Sequence, residues 1–143
     1  MHVLLWACLG VFGDRQGYTR DLPTSVIYPC VVISACNRPK LLRAALESWL
    51  ISGARPRVSV DCPGAEVPNV VRDLGLEMRW SHQIDVRDPW PSDERVSRHW
   101  LNAVSNEFKN TRCTHVIYAE DDHIVTPAAL HDTLLMLEQT SYV

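Results

Sequence analysis

The chain has 143 residues and a formal net charge of -3, from 14 Lys+Arg against 17 Asp+Glu. That length suits one domain, and 46% hydrophobic with 22% charged residues is ordinary for a globular fold. The balance leaves no electrostatic case for nucleic acid, which favours a basic face.

Residues 1–29 form an apolar N-terminus and a linker. The run Val3-Leu4-Leu5-Trp6-Ala7-Cys8-Leu9-Gly10-Val11-Phe12 is shorter than the roughly 20 apolar residues of a bilayer span. It reads as the end of a signal-anchor, as a short signal-peptide core lacking its basic flank, or as a misplaced start. Gly13, Asp14, Gly17, Pro23 and Pro29 then punctuate a mostly polar tether. Of the five cysteines, none forms a CxxC pair, so zinc has little support. Cys36 and Cys113 read as small buried hydrophobes. One disulfide among Cys30, Cys36, Cys62 and Cys113 is the alternative in an oxidising compartment.

The folded unit is expected over 30–143. Val31-Val32-Ile33 is a β-branched run that predicts a buried strand. Asn37-Arg38-Pro39 predicts a turn, with Asn37 as helix cap and Pro39 at the helix start. Leu42, Leu46, Trp49 and Leu50 recur at helical spacing until Ser52-Gly53. Val58-Ser59-Val60 predicts a second strand ending at Asp61, Val67–Leu74 a short helix closed by Gly75, and Met78–Ser81 a third strand. Residues 84–94 hold Asp85, Asp88, Pro89, Pro91 and Asp93 and read as a loop. Val96, Trp100, Ala103, Val104 and Phe108 mark one helical face. His115–Ala119 is the clearest strand and runs straight into Glu120-Asp121-Asp122. Thr126-Pro127 caps a last helix with Leu130, Leu134 and Leu137 on one stripe. Trp49, Trp80 and Trp90 read as packing residues.

Strands alternating with helices predict an α/β fold: a mostly parallel sheet with helices on both faces. In such sheets ligands bind beyond the carboxyl ends of the strands. Arg38, Asp61 and Glu120-Asp121-Asp122 all follow predicted strand ends. Three adjacent carboxylates repel one another unless a cation is present, and a hard divalent ion accepts oxygen ligands. A weakly acidic protein also repels an anionic diphosphate, which a bound cation corrects. The bland reading is an acidic turn capping the next helix. No Asp-x-Asp-x-Asp-Gly loop follows, against EF-hand calcium.

Four stretches in order resemble the β-1,2-N-acetylglucosaminyltransferases of glycosyltransferase family 13, which includes N-acetylglucosaminyltransferase I and the protein O-linked-mannose enzyme. They are Ile33–Pro39 with the Leu-rich segment after it, Val58–Cys62, Arg95-Val96-Ser97-Arg98-His99-Trp100, and Val116–Asp122 followed by Pro127. The resemblance spans about residues 30–139. It implies a GT-A (Rossmann-like) fold, apparently truncated, with UDP-N-acetylglucosamine as donor and Mn²⁺ as cofactor. It implies Asp122 as metal ligand, Glu120 and Asp121 at the donor's sugar and ribose, Asp61 and His99 at the uracil, and Arg38 at the nucleotide pocket. These roles suit the groups: guanidinium matches phosphate, and carboxylate accepts from the uracil N3–H. His123 departs from the aliphatic residue often found after this motif. A related mannosyl β-1,2-N-acetylglucosaminyltransferase family has an acidic-His arrangement there.

The implied reaction inverts the anomeric carbon: a mannose hydroxyl of a glycoprotein glycan attacks C1 as UDP leaves, giving a β-1,2 linkage. The family's catalytic base lies well C-terminal to the acidic motif, so it is expected beyond Val143. The isolated chain is then expected to bind UDP weakly with Mn²⁺ and to transfer no sugar. Golgi residence on the lumenal side of the membrane, with membrane attachment only through an N-terminal anchor, follows from the same resemblance. Two other readings compete: a noncatalytic nucleotide-sugar-binding module, and a GT-A-like nucleotidyltransferase. The latter expects a Gly-rich phosphate loop after the first strand, and residues 34–40 contain no glycine.

Overall fold

The computed structural model describes residues 28–62, 66–80, 92–110 and 112–140. The apolar start with Cys8, the tether up to residue 27, and Trp90 with most of the expected 84–94 loop lie outside the described residues. Strand β1 (Pro29–Ala35) is followed by helix α1 (Pro39–Ile51), β2 (Arg57–Val60), α2 (Glu66–Asp73), β3 (Met78–Trp80), α3 (Ser92–Asn110), β4 (His115–Glu120) and α4 (Pro127–Thr140). The strands lie in the order β3-β2-β1-β4, and every pairing is parallel. A parallel sheet needs a crossover between consecutive strands, which the intervening helices provide.

Residue alternation along the strands sorts the core into two layers. Val31, Ile33 and Ala35 of β1, Val58 and Val60 of β2, and Ile117 and Ala119 of β4 pack with Leu42, Leu46 and Trp49 of α1, Val67, Val70 and Val71 of α2, and Leu130 and Leu137 of α4. Val32 and Val116 point the other way and meet Ala103 of α3, with Val104, Phe108, Cys113 and Tyr118 packed against them. One face is therefore covered by three helices and the other by α3. Buried on both sides, β1 has the continuous apolar character expected of a central parallel strand.

Helix α1 begins as its sequence suggests, with proline at the start, but the cap differs. Arg38, not Asn37, is the N-cap, and it makes no side-chain capping bond. Its guanidinium is drawn instead to an acidic pair more than 80 residues away. The helix ends at Ser52, and Gly53 takes φ +90, the left-handed conformation that favours glycine. At α4, Thr126 caps as expected: its hydroxyl accepts from the Ala129 amide at 3.2 Å.

Three expectations are corrected. Helix α3 starts at Ser92, so the loop reading ran too far, to residue 94. Trp80 is 51% exposed on edge strand β3 and is not a packing residue, whereas Trp49 is buried in the core. The four described cysteines are not free thiols: Cys30 pairs with Cys113 and Cys36 with Cys62, with Cα–Cα separations of 5.6 and 4.7 Å. Parallel pairing is the reason. It brings the start of β1 beside the start of β4, and the end of β1 beside the end of β2, although these pairs are 83 and 26 residues apart.

Candidate functional site

The carboxyl ends of β1, β2 and β4 converge on one cleft of about 190 Å³. Its walls include Arg38, Asp61, His99, Glu120 and Asp121, together with Ser34, Tyr118 and Val96. The parallel register explains the convergence. Ala35 is level with Val60, and Ser34 with Glu120, so residues just beyond these positions leave the sheet at one rim. The Asp61 amide extends the ladder by one bond, donating to the Ala35 carbonyl at 3.0 Å. The Cys36–Cys62 bridge then ties the two outgoing chains together beside the cleft.

Two polar units face this space. In the first, Arg38 forks across the acidic run: one nitrogen donates to Asp121 Oδ1 and the other to Asp122 Oδ2 at 2.9 Å. Asp121 is nearly closed to solvent, its side chain 4% exposed, whereas Asp122 stands at the rim with 39% exposed. Forked charge-assisted bonds of this kind fix position as well as charge. The Asp121 bond, followed by the two nearby carboxylate charges, holds the Arg38 guanidinium above its ordinary range despite some burial.

In the second unit, His99 on α3 faces Asp61 at the end of β2, with Nδ1 to Oδ1 at 3.5 Å. The His99 ring is buried, and neither nitrogen has a hydrogen bond of ordinary geometry. Burial pulls the imidazole below its usual value, opposed by the Asp61 charge. The neutral ring therefore dominates near neutral pH.

Between these units, the Tyr118 hydroxyl donates to Ser34 Oγ at 2.7 Å. Burial pushes the phenol up, so it stays protonated as a donor. Trp100 of α3 meets the Tyr118 ring edge-on, with centroids 6.1 Å apart. Neither Ser34 nor Tyr118 is a candidate from sequence. Alternation supplies the missed signal: each lies two residues beyond an apolar residue of the α3-facing layer, Val32 and Val116.

All of the expected donor-site residues, Arg38, Asp61, His99, Glu120 and Asp121, line this cleft, and the expected metal residue Asp122 joins it through Arg38. His123 has a different place. Its Nδ1 accepts from the Glu120 amide at 2.9 Å, and its own amide donates to the Glu120 carbonyl at 3.1 Å. The imidazole thus satisfies the turn that an aliphatic residue would leave to solvent. Trp49 Nε1 donates to the His123 carbonyl, and the Val125 amide to Ser48 Oγ, so α1 anchors the segment that carries the acidic run.

A second group with metal-ligating atoms, Cys30, Glu107 and Cys113, lies away from this cleft. Its two sulfurs are joined to each other, and Glu107 is engaged by Arg57 at 2.5 Å and Arg79 at 3.4 Å. Those three residues could hold a metal ion only with the disulfide opened. No protein-family model matches the chain, and no curated protein matches it. Among the described residues, no helix is long and apolar enough to cross a membrane.

Proposed function

We propose that the chain is the donor-binding part of an inverting GT-A glycosyltransferase that moves N-acetylglucosamine from UDP-N-acetylglucosamine to a mannose of a glycoprotein glycan. The carrying observation is the meeting of Arg38, Asp61, His99 and the Glu120–Asp122 run at one strand-end cleft. Chemistry divides that cleft. Asp61 and neutral His99, half-enclosed under α3, suit the donor and acceptor edge of a planar base. Tyr118 and Ser34 offer hydroxyls beside it. At about 190 Å³ the cleft is smaller than the roughly 300–1,000 Å³ of whole small-molecule pockets, so it suits the nucleoside end of the donor.

The acidic run fits a hard divalent cation such as Mn²⁺. Three carboxylates against one guanidinium leave excess negative charge, all the donors are oxygen, and Asp122 is accessible at the rim. Asp122 would hold the ion, which supplies Lewis acidity toward charge developing on the departing diphosphate. Arg38 would add donors to the phosphates, Glu120 would meet the sugar, and Asp121 would fix Arg38 while facing the ribose. The two disulfides agree with an oxidising compartment such as the Golgi lumen.

The test is a calorimetric titration with UDP, with and without Mn²⁺, on the protein and on Asp122→Ala. Mn²⁺ should raise UDP affinity by about tenfold or more in the parent and not in the variant. Equal affinities in all four titrations would remove the metal from the site.

A further inference from the structure

We propose that Arg38 is a resident counter-cation that keeps Asp122 from a bare metal ion and releases it when a nucleoside diphosphate arrives, so that metal and nucleotide bind as a coupled pair. This inference rests on the donor-site reading above and adds a control device to it.

The argument starts from the fork. One arm of the guanidinium is bound to Asp121, whose side chain is buried. The other arm lies 2.9 Å from Asp122 Oδ2, on the more exposed carboxylate. A hard cation such as Mg²⁺ approaches a carboxylate oxygen at about 2.1 Å. An ion of that kind on Asp122 would have the guanidinium as a close like-charged neighbour and would compete with it for the same oxygens. With no other anion present, the empty protein therefore favours Arg38 over the ion.

A diphosphate reverses the balance. It brings oxygens for the metal and acceptors for the guanidinium, and its negative charge lies between the two cations. The exchange needs only a short movement. The arm on Asp121 stays as a pivot, and the arm on Asp122 transfers to a phosphate oxygen. Helix α1 supports such a pivot. Arg38 is its N-cap residue and makes no side-chain capping bond, so no helix contact has to break. The Arg38 carbonyl remains bound by the Leu42 amide at 2.9 Å, which holds the backbone while the side chain turns.

The experiment counts free Mn²⁺ by electron paramagnetic resonance while the full chain is titrated, with and without UDP. In the parent, UDP should tighten Mn²⁺ binding by about tenfold or more, and Mn²⁺ should tighten UDP by the same factor. In Arg38→Gln, bare Mn²⁺ should bind about tenfold more tightly, UDP alone more weakly, and the coupling factor should shrink. Arg38→Lys keeps a cation at the helix start and should keep weak bare-ion binding. Circular dichroism checks that each variant is folded. Parent protein that binds Mn²⁺ equally with and without UDP overturns the exchange without need of any variant. Folded Arg38→Gln with unchanged bare-ion affinity also overturns it, while retained Mn²⁺–UDP binding leaves the donor-site reading standing. No Mn²⁺ binding by any form, with or without UDP, sinks both.

Discussion

His99 is shut into the protein beside a carboxylate, and its two surroundings pull in opposite directions. Burial favours the neutral ring and Asp61 favours the charged one, with burial the larger. The consequence for stability has a definite sign. An unfolded histidine titrates near pH 6.5, and folded His99 titrates lower. Below the unfolded value, the unfolded chain binds a proton that the folded one refuses, so stability falls as pH drops through that range. Above it, His99 contributes no penalty. The urea midpoint should therefore fall between pH 7.5 and pH 5.5 in the parent, and His99→Gln should flatten that slope. Parallel pH profiles of the two proteins would show that Asp61 offsets burial completely. Asp61 and the acidic run are legible in the sequence because each follows a β-branched strand. The pairing of Asp61 with His99 is not, because it depends on how α3 lies across the sheet.

Helix α3 shows where periodicity misleads. Of the expected face Val96, Trp100, Ala103, Val104 and Phe108, Ala103 is buried and Val104 and Phe108 pack partly against the sheet, yet the other most buried described positions are His99 and Glu107, and Val96 is 59% exposed. Beside Ala103 the helix turns a polar ridge of His99 and Glu107 toward the sheet: His99 faces Asp61, and Glu107 meets cations from β2 and β3. Arg57 and Arg79 both pair with Glu107, which is 1% exposed. Burial alone lowers the Arg57 guanidinium, but its bonds to Glu77 and Glu107 outweigh this and raise it. A scale that rewards only apolar residues cannot see such a ridge, since each member has meaning only beside its partner on another element. Removing Glu107 would leave two guanidinium groups facing an empty position. Glu107→Ala should cost about 1–3 kcal/mol, below the range for a fully buried pair, because Arg57 and Arg79 are 27% and 33% exposed and Arg57 keeps Glu77. Chemical denaturation measures it. A loss under about 1 kcal/mol, typical of exposed pairs, would mean that water reaches the arginines.

At the scale of the whole molecule, the order of strands was open in the sequence, because strand runs carry no label of their neighbours. The β-α alternation made a parallel sheet the natural reading, and the cysteines completed the pairing information in a form visible only after folding. The two bridges grip β1 from opposite sides and at opposite ends: Cys30–Cys113 joins it to the approach of β4 at the amino edge, and Cys36–Cys62 to the exit of β2 at the carboxyl edge. Loop-closure entropy ranks them. The 83-residue separation gives roughly 4.5 kcal/mol and the 26-residue separation roughly 3.5 kcal/mol in the chain-entropy picture. The proposed donor site ranks them the other way. Among the described cysteines only Cys36 lines the cleft, and of the two bridges only Cys36–Cys62 joins the chains carrying Arg38 and Asp61. Replacing Cys30 and Cys113 by serine should lower the denaturation midpoint more and leave Mn²⁺-dependent UDP affinity near the parent value wherever the protein is folded. Replacing Cys36 and Cys62 should lower the midpoint less and weaken UDP by about tenfold, the equivalent of 1.4 kcal/mol. Equal loss of UDP affinity in the two double variants would mean that the sheet transmits strain from one edge to the other, and that the cleft is held by the whole layer and not by its nearest bridge.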